Sequence, residues 1–387
     1  MQELTNVQFD RMTTFNYFLN PILKTDNLFK GTVGTRRVAT FFGVNDGDPL
    51  AKFTVPNAVL KRRTTVAELH AGTNKSFGNP ISSKTNWSLV PHEFHVEIDS
   101  QTVTDLVGLT NQSPANDADR GAAVMDVLIN AYGNPINTDL HRHAMWSHTT
   151  FDPDTTYASP AHAFEDDTVL SLQENTGFLT LIKAALDAAK FNNYQTAVGG
   201  TGLEVDGSEL SIANAGALVE KLVSQASSDL TMLNFGDQNI EKKPFGLLSH
   251  DLYNKFKYYL ADKFKNSNVG YILYAQGEDG SRMLNSEAGL LYDGFVFYNA
   301  ANLFDDYWKL TNKTGNLYQH MGLFTSRENL SLGLNLKNPA DLDNGLSIWT
   351  DPNPTKQGQR TLSMFLQLDF LIGNDTLFST VGFEKLP

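Results

Sequence analysis

Three histidines close together carry the most chemical potential in this chain. His141, His143 and His148, with Asp139 just ahead of them, supply the imidazole and carboxylate donors that a transition metal takes. Their spacing works against a shared ion. The segment reads as helix, where side chains two positions apart point about 200° away from each other, so His141 and His143 cannot ligate one metal without unwinding. His92 and His95 fall on opposite faces of a strand pattern, which makes a shared site there weaker still. Gly199-Gly200-Thr201-Gly202 has the glycines of a phosphate loop, yet no Lys-Ser/Thr follows and no helix opens behind it; it reads as a surface loop. The acidic groups Asp166-Asp167, Asp305-Asp306 and Asp46-Gly47-Asp48 lack the ligand spacing of a calcium loop and read as solvated turns. Cysteine is absent, so there is no thiol nucleophile, thiolate metal site or disulfide, and no serine sits in a Gly-x-Ser-x-Gly context. No cofactor and no active site are required by any of these patterns.

The 387 residues, 41% of them apolar, can bury ample core and divide into two or three domains. No apolar run approaches the roughly 18 to 20 residues that span a bilayer, and the first residues lack the basic-then-apolar layout of a secretion signal. The net charge of -13 conceals a division. Residues 1–86 hold 11 Lys+Arg against 6 Asp+Glu, a net of +5, which leaves -18 for the remainder. A basic leader on an acidic body suggests self-association, in which complementary fields set register and encounter rate. The acidic body argues against sequence-specific nucleic-acid binding, which needs concentrated Lys and Arg.

Several elements are expected to carry this arrangement. The leader has scattered aromatics without a sustained period after Pro21, and residues 38–42 are its best candidate for a strand added to a sheet. Residues 64–71 and 86–98 read as two strands of a long hairpin, with Phe94, Val96 and Ile98 alternating with Glu93, His95 and Glu97. Its polar tip runs from Gly72 through Lys75, Phe77 and Gly78 to Pro80. Ala118, Ala122, Met125, Ile129 and Tyr132 recur at helical spacing behind an Asn116 or Asp117 cap, and Gly133-Asn134-Pro135 should end or kink that helix before it resumes near His141. Residues 177–190, 214–233 and 249–264 read as helices, the last behind a Ser249 cap. Strands are expected at 245–248, 271–275, 294–299 and 318–325. Glu278, Asp279 and Gly280 mark an exposed polar loop. Leu362, Met364, Leu366, Leu368 and Phe370 alternate with polar residues, broken only by Phe365; a turn at Gly373-Asn374-Asp375 predicts a closing hairpin with Leu377, Val381 and Phe383 on its return.

This order of elements resembles the HK97-type major capsid proteins of tailed phages. Phe245-Gly246-Leu247-Leu248-Ser249-His250-Asp251-Leu252-Tyr253 is similar to a strand-to-helix step in that family, and residues 289–297 to a later strand. The resemblance implies an α+β chain with an HK97-like division: an N-terminal arm (1–45), an extended E-loop hairpin (46–98), a peripheral domain with a long spine helix (99–150), an inserted mixed α/β axial domain (151–337) and a return to the peripheral domain (338–387). No long helical leader precedes the arm, which implies a separate scaffolding protein or a processed leader. Pro135 within the spine region departs from the pattern. The implied function is structural: hexamers and pentamers closing into an icosahedral shell around double-stranded DNA, assembled in the host bacterial cytoplasm. Portal and decoration proteins are implied as further partners, and no membrane. Arg36 and Arg37 in the arm, with Lys61, Arg62 and Arg63 at the base of the E-loop, are the residues expected to face acidic patches of neighbouring copies. An encapsulin-like nanocompartment would share the fold. A cytoplasmic α/β enzyme with accessory β-arms is the reading of another class, and it would need a pocket of perturbed ionisable groups.

Overall fold

The alternating run near the chain's end does form a strand, and it is the axis of the first of two sheets. The structure, a computed structural model, describes residues 38–54, 81–98, 139–152, 166–194, 210–231, 244–263, 289–301, 303–305, 307, 320–326, 329–335, 346–350 and 360–383. In chain order these form β1 (Ala39–Phe42), β2 (Pro49–Thr54), β3 (Ile81–Asn86), β4 (Val90–Ile98), a helix α1 over 139–146, α2 (Asp166–Glu174), α3 (Phe178–Asp187), β5 (Asn192–Tyr194) and α4 (Ile212–Ser224). There follow β6 (Pro244–Leu248), α5 (His250–Lys263), β7 (Leu290–Tyr292), β8 (Phe295–Asn299), β9 (Gly322–Ser326), β10 (Leu330–Leu334), β11 (Leu346–Thr350), β12 (Arg360–Ile372) and β13 (Phe378–Val381).

In the first sheet β4 lies antiparallel along one side of β12, while β10 and β11 divide the other side between them. β1 adds to the outside of β10 in parallel, as its apolar run predicts for a strand joining a sheet. Phe178 of α3 meets Phe370 of β12 edge-on at 5.4 Å, which covers the sheet's apolar face. The second sheet has the order β5-β13-β9-β6-β8-β7, with β6–β8 and β5–β13 parallel and its other pairs antiparallel. Its core is aromatic. Phe256 of α5 meets Phe297 edge-on at 5.8 Å and Phe297 stacks on Phe324 at 6.1 Å, joined by Leu218 and Leu222 of α4, all buried. Each such side chain contributes about 1.5–3 kcal/mol on leaving water.

Three expectations need correction. The strand expected over 86–98 as half of a long hairpin instead runs from Val90 to Ile98 and joins β12, while the ribbon formed just before it is β2 with β3. The break falls at Trp87, whose N–H donates to the Asp48 carbonyl and whose own carbonyl accepts from Gly47, a glycine held at φ 82. Ser88 then donates to the Asp369 carboxylate, steering the chain onto β12. The expected strand at 64–71, the polar tip, the helix from Asn116 and the strand at 271–275 lie outside the described residues.

The second correction concerns the closing hairpin. β12 and β13 are not partners; β12 stays in the first sheet and β13 enters the second between β5 and β9. β13 is buried along its whole length, so it needs cover on both faces that an edge hairpin would not give. Its polar residues are satisfied inside: Ser379 donates to the Leu222 carbonyl and Thr380 to the Asn193 side chain.

The third is the cap of α5. Ser249 Oγ makes no hydrogen bond among the described residues, and it is Asp305 that accepts from His250 N at 2.8 Å. α4, by contrast, starts behind Ser211, whose Oγ accepts from Asn214 N.

Trp87 also explains a glycine. A Cβ on Gly333 of β10 would come within 2.7 Å of the Trp87 ring, which is itself buried. Gly333→Val is expected to cost about 1–3 kcal/mol by displacing that ring; an unchanged urea midpoint would show that Trp87 moves freely. No helix among the described residues is long and apolar enough to cross a membrane.

Candidate functional site

The histidines gather where three elements meet. His92 comes from β4, His143 from α1 and Ser171 from α2, and their contact closes the sheet against both helices. The His92 and His143 rings lie 4.6 Å apart. Ser171 Oγ sits between them, 3.2 Å from His92 Nδ1 and 3.1 Å from His143 Nε2. One ring donates to the hydroxyl and the hydroxyl donates to the other, so at least the accepting imidazole is neutral. Burial holds His92 down to about 4. His143 falls to about 3, through burial first and then the nearby His92 and Arg142 charges.

His141 and His143 both lie on α1, where His143 reaches this cluster through Ser171, while His148 turns to Thr150 Oγ1 at 3.1 Å. Among the described residues no group of three or more histidine or acidic side chains could hold a metal ion. Arg142 and Asp139 pair at 2.8 Å beside the cluster, and burial raises the Asp139 carboxyl despite that cation. Sequence reasoning had the signal for His92 and did not use it. In the alternation of β4, His92 keeps step with Phe94 and Val96, the apolar set.

A second polar group binds α4, α5 and β7. Glu220 Oε1 accepts from Lys263 at 2.5 Å, Tyr259 at 2.8 Å and Tyr292 at 3.4 Å. The Lys263 hydrogen bond chiefly, with that of Tyr259, holds the Glu220 carboxyl below its ordinary range and raises the Lys263 amine. Lys263 also lies over the Tyr259 and Tyr292 rings. This group is a tie between elements: Lys263 donates to both Glu220 and the Tyr259 hydroxyl, and the two tyrosine hydroxyls donate to Glu220.

Serine, histidine and aspartate also meet at the start of α5. His320 Nδ1 lies 3.7 Å from Asp251 Oδ2, but Ser249 is fully buried and its hydroxyl bonds to no imidazole among the described residues. A nucleophile needs both access and a base in reach. This geometry offers neither.

The residues expected to touch neighbouring copies, Arg36, Arg37, Lys61, Arg62 and Arg63, lie outside the described residues. So do Gly72, Lys75, Phe77 and Gly78 of the tip and Glu278, Asp279 and Gly280 of the polar loop. What is described is their attachment. Val38, directly after Arg37, is buried, and β1 then forms an outer strand of the first sheet.

No family profile and no curated protein matches the sequence. Solved structures do. A chain of the satellite phage P4 procapsid with its size determination (Sid) protein aligns over 94% of this chain and 97% of that one, at 14% identity and a TM-score of 0.50. The fold is that of phage capsid proteins. The capsid of Ralstonia phage GP4 aligns over 98% of this chain and 93% of that one, at 12% identity and a TM-score of 0.48, and that of Myoviridae phage XM1 over 89% of each, at 9% and 0.40. The two polar clusters each tie elements together: His92, His143 and Ser171 join β4 to α1 and α2, and Glu220 joins α4 to α5 and β7.

Proposed function

We propose that this chain is the major capsid protein of a tailed phage, with a structural rather than a catalytic role. It forms hexamers and pentamers that close into an icosahedral shell around double-stranded DNA, built in the host bacterial cytoplasm and retained in the virion. The observation that carries this reading is the fold shared with the P4 procapsid chain over nearly the full length of both. In this reading the first sheet with α1 is the peripheral domain, the second sheet with α4 and α5 is the axial domain, and the E-loop is rooted on the β2–β3 ribbon, with β4 returned to the peripheral sheet. β13 returns the chain to the axial sheet. The basic residues Arg36, Arg37, Lys61, Arg62 and Arg63 meet acidic surface on neighbouring copies, so that stability accumulates over many modest contacts. Scaffolding, portal and decoration proteins are further partners of such a shell.

Negative-stain microscopy with light scattering on the purified protein, at low and high salt, tests the assembly. Closed shells, or rings that become shells with a scaffolding protein, are expected. Arg36→Glu with Arg37→Glu should slow assembly at low salt by tenfold or more and blunt its salt dependence, because opposite fields steer encounter. A monomer or dimer that never assembles, even with neighbouring phage genes co-expressed, would overturn the reading. Shells formed without a portal or terminase gene nearby would point to an encapsulin-like compartment.

A further inference from the structure

The two sheets are joined by a crossing that the sequence does not announce. β9 pairs with β13 in the second sheet, while the strands next to them in the chain, β10 and β12, pair in the first. Two adjacent strands therefore pass together from one sheet to the other as a single antiparallel ribbon. Thr325 faces Phe378 on one side of the crossing and Leu330 faces Ile372 on the other. That is five steps along the earlier strand and six along the later one. One extra residue is thus held on the later strand, the imbalance that bends and twists a ribbon.

At this point Asn329 takes the place of ladder rungs. Its Nδ2 donates to the Leu377 carbonyl and to Thr325 Oγ1, each at 3.1 Å. Its Oδ1 accepts from Asn374 N, and its backbone carbonyl accepts from Gly373 N at 2.7 Å. Thr325 Oγ1 in turn donates to the Leu377 carbonyl at 2.8 Å. Asn329 is 2% exposed, so these bonds form away from water and none is readily replaced by it. Apolar contacts nearby, Phe304 with Phe383 and Phe191 with Phe378, add cohesion, but hydrophobic contact has no direction. Among the described residues the Asn329 amide makes the most directional contacts at the bend, to Thr325, Asn374 and Leu377.

We propose that Asn329 is the positioning residue that fixes the angle between the two sheets, and that loosening its amide lets them rock about the ribbon crossing. In a shell subunit that angle is copied into curvature, a consequence that rests on the capsid reading; the joint itself does not.

The absence of cysteine makes the test direct. Tyr258→Cys on α5, which packs on the second sheet, and Phe365→Cys on β12 of the first, at 62% and 45% exposed positions, place one spin label on each layer of the unassembled protein. Pulsed dipolar spectroscopy should give one narrow distance distribution. Adding Asn329→Ala should broaden it at least twofold with the far-UV circular dichroism unchanged. Thr325→Val, which removes one hydroxyl and keeps the amide, should broaden it less. Unchanged widths in both variants would overturn the proposal. So would a loss of folded signal in Asn329→Ala together with an unbroadened Thr325→Val, because Asn329 would then serve stability alone. In the shell assay Asn329→Ala should yield particles of mixed curvature. Failure of the parent chain to form shells would sink the capsid reading and leave the distance result standing.

Discussion

Between pH 7 and pH 5 the unfolding free energy is expected to fall by about 4 kcal/mol, with His92 and His143 as the source. Both imidazoles start from 6.5 in the unfolded chain and sit at about 4 and about 3 in the folded one. Below 6.5 the unfolded chain therefore takes up protons first, and folding loses about 1.4 kcal/mol per histidine for each pH unit. The loss begins near pH 6.5 and levels off for His92 near pH 4, where the folded state protonates too. The charges that face the pair are Arg142, itself held by Asp139, and the second ring of the pair. Buried Asp139 and Asp369 act in the opposite sense. Their carboxyls are raised, so the folded state accepts those protons earlier and gains stability as pH falls, but only towards the carboxylate range. Urea midpoints at pH 7, 6 and 5 read the slope directly. His143→Asn and His92→Gln should each remove about half of it, and a parent protein equally stable at pH 7 and pH 5 would show that the rings open to solvent without cost.

The same pair shows what a sequence can and cannot reveal. Period alone marks β4, β12 and the helices α3, α4 and α5, because each has a local pattern that burial must respect. It also separates His92 from His95 and His141 from His143. It cannot bring His92 to His143, since that contact depends on where α1 lands against the first sheet, and the fifty positions between them encode no spacing rule. β13 failed for another reason. Phe378-Ser379-Thr380-Val381 reads as a short, mixed edge strand until the Leu222 carbonyl and the Asn193 side chain are seen to satisfy its hydroxyls. The Ser249 cap failed likewise: serine before a helix is a sound local signal, yet Asp305, brought from beyond β8, takes the helix N–H instead. Asn329 had no local signal at all. A single asparagine ahead of Leu330 becomes decisive only when two strands change sheets beside it. Local physics set the elements, and polar side chains acting across long sequence separations set how they are joined.

Trp146→Ala should be the most damaging single truncation among the described residues, at about 3–5 kcal/mol. The indole is fully buried, and its Nε1 donates to the Leu303 carbonyl at 2.8 Å. Its ring meets Tyr307 at 5.9 Å and carries the Arg142 guanidinium 5.5 Å from its centroid. Trp146 thus links α1, which touches the first sheet through His143, to the segment that follows β8 of the second. Trp146→Phe divides the effect into parts. Phenylalanine keeps most of the apolar contact but leaves the Leu303 carbonyl without its donor, for which about 1–3 kcal/mol is expected. If the alanine variant loses far more than the phenylalanine one, packing dominates the link; if the two are close, the hydrogen bond does. A loss below about 1 kcal/mol in Trp146→Ala would mean the two layers do not depend on this contact. Unfolding followed by circular dichroism and by tryptophan fluorescence adds a further check, because coincident transitions mark one cooperative unit. The parent protein should show coincidence, whereas Trp146→Ala should separate the two signals, since it removes an apolar bridge between the sheets and leaves their joint at Asn329 in place.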